Sequence, residues 1–190
     1  MLETLNNLDT RLFLYLNGMH STFWDPVMWW VSVKTNWIPL YVLILGYLVY
    51  RMRWKALWVL LGTTLLVALS DQASVLLKES VGRLRPCHQP ALAAMVHLVR
   101  DYCGGTYGFV SSHAANHFAV AVFTALWIRE KWYWIFILFW AALVSYSRIY
   151  LGVHFPGDVL GGAMLGILLA WGVRWLMDLI PALKPKHLPS

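Results

Sequence analysis

Five mostly apolar stretches, at about 36–51, 56–79, 111–129, 132–150 and 155–177, dominate this chain. Each is close to the ~20 residues an α-helix needs to cross the hydrocarbon core of a bilayer. Inside lipid every backbone N–H and C=O must be satisfied within the protein, so runs of this kind fold as spanning helices. Composition agrees, with 59% of the 190 residues hydrophobic and 13% charged, against about 25% charged in an ordinary soluble domain. The sequence therefore predicts an all-α, multi-pass transmembrane helix bundle.

The basic residues orient that bundle. Arg51, Arg53 and Lys55 lie between two apolar runs, Arg129 and Lys131 between two others, and Arg174, Lys184 and Lys186 close the chain. Basic clusters of this kind mark loops held on the cytoplasmic side. The net charge of +6 would suit nucleic acid only as one continuous surface stripe. It is divided among loops, so no nucleic-acid partner is expected. The loop 80–110 and the short turn 151–155 then face the extracytoplasmic side. Tryptophans sit near the segment ends, as an interfacial aromatic belt requires, and only Trp140 falls mid-segment.

The chain divides into residues 1–35, a transmembrane core at 36–180 and a cytoplasmic tail at 181–190. The first part is broken by Asn17, Gly18, His20, Asp25 and Pro26. It reads as two short helices, the first with Leu5, Leu8, Leu12 and Leu16 on one face. They either lie in the interface or form an irregular sixth span. No basic n-region precedes them, so no cleavable signal peptide is expected. The loop 80–110 is the one long connection, and long loops in compact proteins are usually functional. It carries Cys87 and Cys103. A disulfide there, contributing about 3 kcal/mol in the chain-entropy model, and two free thiols both fit the sequence.

Ionisable residues gather at the outer helix ends. Lys78 and Arg85-Pro86 close the second run, Ser111, Ser112 and His113 open the third, and Arg148 ends the fourth. The fifth is entered through His154 and Asp158. Placing Arg or Asp at mid-membrane costs roughly 2.5–3.5 kcal/mol on insertion scales, and chance would have scattered such residues over both sides. Arginine forks match phosphate oxygens and lysine adds a compact charge. The first amides of a helix point at an anion with the helix dipole behind them. Residues four apart share a helical face, so Asp158 can hold the His154 Nδ1–H and leave Nε2 free as a nucleophile. His113 is placed to act as general acid toward a leaving oxygen.

Lys78 with Arg85-Pro86, then Ser111-Ser112-His113, then Arg148, His154 and Asp158 resemble the three-part signature of the type 2 phosphatidic acid phosphatase (PAP2) superfamily. The match runs over residues 78–158. The resemblance implies that His154 forms a phosphohistidine with Asp158 orienting it, and that His113 protonates the leaving group. Lys78, Arg85, Arg148 and the Ser111–Ser112 turn would hold the phosphate. No cofactor or metal is implied. The chain departs from the family at the middle motif, where Val-Ser-Ser-His stands for the usual Pro-Ser-Gly-His. A Cβ and a hydroxyl replace glycine's freedom there.

Single residues admit other readings. Arg148 with Asp158 alone would pass for a structural ion pair, but Lys78 and Arg85 would then be unexplained. His117 follows His113 by four and could ligate zinc, though no glutamate adjoins His113. Asn116 and His117 read better as hydrogen-bonders behind the site. Asp71, seven before Lys78, shares its face and reads as a polar contact between helices or a partner for the site's cations. Arg83 fits equally a substrate contact and an exposed loop arginine. Gly161, Gly162 and Gly166 suit close helix packing.

The expected function is hydrolysis of a terminal lipid phosphate at the outer face of the cytoplasmic (inner) membrane, with the lipid entering sideways from the bilayer. Undecaprenyl diphosphate, which would best use so many cations, ranks first. Phosphatidylglycerophosphate, phosphatidic acid and lipid A are alternatives. A lipid phosphotransferase and a non-enzymatic lipid transporter are further readings. Phosphate release separates them: a transporter gives none, and a transferase turns over faster with added acceptor.

Overall fold

Helix α5 (Ser112–Ile128) is built largely of small residues. Ala114, Ala115, Ala119, Ala121 and Ala125 are fully buried, so neighbouring helices close on several sides of it. In this computed structural model, which describes residues 2–183, α7 (Pro156–Asp178) packs on α5 most extensively. Helices α6 (Lys131–Tyr150) and α4 (Lys55–Val81) cover its other flanks. Gly162 and Gly166 set the α5–α7 approach: a Cβ at the first would strike the Ser111 carbonyl, and at the second the Ala115 carbonyl. Two backbones lie this close only where one side carries no side chain.

The long helices fall within two residues of the expected boundaries. Among the described residues, three helices, or four spans if a bent pair counts as one, meet the length and hydropathy of a membrane crossing by themselves. Helices α4, α6 and α7 are each long and apolar enough to cross a membrane. Helix α2 (Trp24–Ser32) and α3 (Ile38–Met52) pass together as a pair bent by 75°. Helix α5 has 17 residues, about 26 Å at its rise per residue, somewhat short of a ~30 Å core. Its burial among other helices removes the need to match lipid along its whole length. Leu43 on α3, Leu65 on α4, Phe139 on α6 and Leu168 on α7 are exposed, as a lipid-facing ring requires.

Helix α1 (Leu2–Gly18) packs on α6 and α7, and α2 on α6. The expected leucine face of α1 divides. Leu5, Leu8 and Leu12 point outward with Tyr15, whereas Leu16 is partly buried. The docking stripe is Asp9, Phe13 and Asn17, four apart. Phe13 is fully buried against Phe155, with ring centroids 5.2 Å apart. Asn17 donates to the Tyr150 carbonyl at 2.8 Å and accepts the His97 amide at 2.8 Å.

Basic groups occupy the end of the bundle away from the long loop. Arg51 meets Glu130 at 3.5 Å, and Arg174 pairs with Asp178 at 2.7 Å while lying 3.8 Å over the Trp127 ring. The tail expected at 181–190 enters the structure only as a short 3-10 turn at Pro181–Leu183, and Lys184 and Lys186 lie outside the described residues. At the opposite end the long loop is stapled by a Cys87–Cys103 disulfide, Cα–Cα 6.0 Å. A short antiparallel pairing supports it: the Arg85 amide donates to the Thr106 carbonyl at 3.1 Å and the Gly108 amide to the Arg83 carbonyl at 2.8 Å. Two arginines are thereby carried over the helix ends.

Candidate active site

The fourth and fifth runs meet through a tight turn that brings His154 and Asp158 together. Proline at position 156 starts α7 with its missing N–H where no helical bond is needed. Asp158 occupies the third position of α7, and its Oδ2 accepts the Phe155 amide at 3.0 Å. That carboxylate satisfies a helix N-terminus and favours its dipole. The same Oδ2 lies 3.4 Å from His154 Nδ1. Both side chains are almost sealed, at 2% and 0% exposure. With Nδ1 turned to the carboxylate, Nε2 is the nitrogen left to meet a substrate.

The three expected cations come from separate elements. Lys78, in the last turn of α4, hydrogen-bonds the Ser112 hydroxyl. This hydroxyl stands where the family signature has glycine, so the replacement supplies an acceptor for the lysine. Arg85 is held by the loop backbone: Nη1 donates to the Cys103 carbonyl at 3.1 Å and Nε to the Tyr107 carbonyl at 3.2 Å. Arg148, 4% exposed at the end of α6, donates to the Ser32 hydroxyl and lies 5.9 Å from the Tyr102 ring centroid. All three are near enough to act electrostatically on the His154 ring.

Ser111 caps α5, its hydroxyl accepting the Ala114 amide at 3.4 Å, while its own amide donates to the Asp158 carbonyl at 2.9 Å. That backbone bond ties the start of α5 to the start of α7. His113 lines a cavity of about 280 Å³ together with Trp29, Ser32, Lys34, Tyr102 and Arg148. Gly108 lies against the carboxylate, where a Cβ would come within 2.6 Å of Asp158 Oδ2.

Burial pushes His154 well below the ordinary histidine value, and Arg85, Arg148 and Lys78 push it the same way, against a backbone hydrogen bond with Gly108. The imidazole is thus kept neutral, as a nitrogen nucleophile requires.

Behind this set, Asn116 Nδ2 reaches Asp71 Oδ1 at 3.4 Å, so Asp71 makes an interhelical contact between α4 and α5. His117 Nδ1 lies 2.7 Å from the His113 carbonyl, and its ring stacks near-parallel to that of His113 at 6.1 Å. Mid-segment Trp140 packs on the His117 ring at 5.0 Å.

The structure changes the reading of Arg83. It is not an exposed loop residue: its side chain is 19% exposed and donates to Asp158 Oδ1 at 2.8 Å and Asp9 Oδ2 at 2.6 Å. Asp9, Lys34, Ser32 and Tyr102 went unread in the sequence. Lys34 and Ser32 sit at the bend between α2 and α3, a junction with no periodic signature. The spacing of Asp9 to Phe13 and Asn17 places it on the docking stripe of α1 but carries no sign of its contact with Arg83.

Histidines, a carboxylate and several cations at one end of an apolar helix bundle define a membrane enzyme of phosphoryl chemistry, which depends above all on positioning and charge neutralisation. Residues 54–180 match the PAP2 superfamily. The chain is 41% identical over 174 residues to a lipid A 4'-phosphatase of Bacteroides thetaiotaomicron, covering 90% of this chain and 77% of the relative. It is 48% identical to an undecaprenyl-diphosphatase of Sulfolobus acidocaldarius, but over 60 residues, 32% of this chain and 29% of the relative. The crystal structure of a transmembrane PAP2 type phosphatidylglycerolphosphate phosphatase from Bacillus subtilis superimposes with a TM-score of 0.72 at 27% identity, covering 98% of this chain and 90% of that one.

The chain belongs to the PAP2 superfamily. It is a multi-pass membrane protein and a phosphoric ester hydrolase acting on lipid phosphates.

Proposed function

We propose that the chain hydrolyses a phosphate monoester of a phosphorylated glycolipid of the lipid A class, at the extracytoplasmic face of the cytoplasmic membrane. The observation that carries the chemistry is the buried His154–Asp158 pair set among Lys78, Arg85 and Arg148. His154 Nε2 attacks phosphorus, and the phosphorus–oxygen bond to the lipid breaks as His113 gives its proton to the leaving oxygen. Water then attacks the phosphohistidine with His113 taking the proton, releasing inorganic phosphate and neutral His154. The three cations and the Ser111–Ser112 turn hold the phosphoryl oxygens throughout.

A lipid substrate suits the surroundings. A cavity of about 430 Å³, lined by Ile38, Leu45, Val67 and Val120, has Lys34 and His117 on its wall, and Lys34 also lines the cavity at His113 and Arg148. Tails lying there leave the phosphate at the cations. The long similarity to the Bacteroides thetaiotaomicron enzyme supports a lipid A-type headgroup. The disulfide supports an oxidising, extracytoplasmic side for the site, as does the placing of basic loops at the other end.

Undecaprenyl diphosphate is the second reading, favoured by Lys34 as a fourth cation beside the site. Phosphate release by purified protein on lipid A, phosphatidylglycerophosphate, phosphatidic acid and undecaprenyl diphosphate decides between them. The highest kcat/KM is expected on lipid A. A higher value on the diphosphate replaces this assignment with the second reading, and no phosphate from any of the four overturns both.

A further inference from the structure

Only one oxygen of Asp158 faces His154. Oδ2 meets the imidazole at 3.4 Å and the Phe155 amide at 3.0 Å, while Oδ1 accepts Arg83 Nη1 at 2.8 Å. The other amino group of Arg83 donates to Asp9 Oδ2 at 2.6 Å, and its guanidinium lies 4.3 Å from the Phe155 ring centroid. The remaining oxygen of Asp9 accepts the Gly157 amide at 2.8 Å. Asp9 thus grips two things at once, the arginine behind Asp158 and the first turn of the helix that carries it.

Asp9 belongs to α1, whose Leu5, Leu8, Leu12 and Tyr15 face outward. The same helix therefore offers an apolar face to the bilayer and a carboxylate to the machinery around His154. Nothing in the three-part phosphatase signature includes position 9, some seventy residues before its first motif.

We propose that Asp9 and Arg83 are positioning residues, a carboxylate–guanidinium bridge through which the amphipathic helix α1 fixes the Asp158 carboxylate and thereby the aim of His154. The proposal rests on the reading of His154 as nucleophile. Its physical content has two parts. Two near-parallel N–H groups of a guanidinium, each on a different carboxylate, hold both in a fixed plane. The bridge also balances charge: Asp9 offsets Arg83, leaving the Asp158 charge to serve the imidazole.

This balance gives the two partners opposite electrostatic signatures. The charged groups around His154 are Lys78 from α4, Arg85 from the loop and Arg148 from α6, with Asp158 of α7 at its Nδ1, Arg83 of the loop behind that carboxylate and His113 of α5 beside them. Neutralising Asp9 leaves this set one charge more positive, which disfavours the imidazolium. Neutralising Arg83 leaves it one charge more negative, which favours it.

The test uses the full chain in phospholipid nanodiscs, comparing Asp9→Asn, Arg83→Gln and Arg83→Lys with the unchanged protein for kcat, KM and the pH profile of kcat/KM. Misaligning a reacting group costs on the order of a hundredfold in rate, so both neutral variants are expected to lose about ten- to a hundredfold in kcat at unchanged KM. The acid limb should move down for Asp9→Asn and up for Arg83→Gln, and stay in place for Arg83→Lys with part of the rate restored. Limbs that move together or not at all would overturn the proposal. So would a rise in KM at unchanged kcat, which would make Arg83 a phosphate ligand. If Asp9→Asn fails to fold, the contrast between Arg83→Gln and Arg83→Lys carries the same decision. His154→Ala separates this failure from that of the underlying reading. Turnover surviving in it removes the nucleophile assignment, whereas a dead His154→Ala beside normal Asp9→Asn and Arg83→Gln removes the bridge alone.

Discussion

As the proposed nucleophile His154 must be unprotonated, and a ring sealed from water among three cations meets that requirement. Burial and the cations act in the same direction, lowering its proton affinity well below the usual histidine value. An ordinary histidine titrates near 6.5, so the acid limb of kcat/KM that belongs to this imidazole is expected at a lower pH than that. A limb at or above about 6.5 would show a partly solvated ring instead. The same shift has a stability consequence. Below about pH 6.5 the unfolded chain takes up a proton that the folded site refuses, so stability falls as the pH drops from there toward the folded value. Much of this residue-level picture was legible in the sequence, because Lys78, Arg85, His113, Arg148, His154 and Asp158 have the spacing of a known signature. Arg83 and Asp9 were not, because their meaning lies in a contact between residues 74 positions apart that no local pattern encodes.

At the scale of elements, α5 and α7 bear most of the burden of bringing the motifs together. Their backbones meet at Gly162 and Gly166, and the Ser111 amide bonds the Asp158 carbonyl one turn further on. Overpacking a tight contact costs typically 1–3 kcal/mol, so Gly166→Leu is expected to lower thermal stability in detergent by about that amount and to reduce kcat. Unchanged stability would mean the two helices can part without loss. Hydrophobic length alone located the long helices, since lipid imposes one rule on every apolar run. It did not reveal that α2 and α3 form one bent unit, or that α5 sits among its neighbours. Those depend on which faces are covered, and an all-apolar helix shows no difference in sequence between a face turned to lipid and a face turned to protein. The N-terminal helix misled for a related reason: its leucines advertise the outward face, and its docking stripe is mixed in polarity.

For the whole molecule, the arrangement is a division of charge along the bundle axis. Arg51, Arg129, Lys131 and Arg174 gather at one end, and Lys78, Arg85, Arg148 and His154 at the other, with an apolar cavity running beside α5. In the proposed function the bilayer acts as part of the enzyme, presenting a lipid phosphate at the depth of the cations. Every step of the account passes through a covalent bond between phosphorus and one imidazole. The most direct measurement is an acid-sensitive phosphoenzyme trap: mix purified protein with phosphate-labelled lipid, quench with base within one turnover, and locate the label by mass spectrometry. The account predicts phosphohistidine at position 154, lost on brief acid treatment and absent from His154→Ala. Label on any other residue, or rapid turnover with no labelled protein under single-turnover conditions, would contradict it.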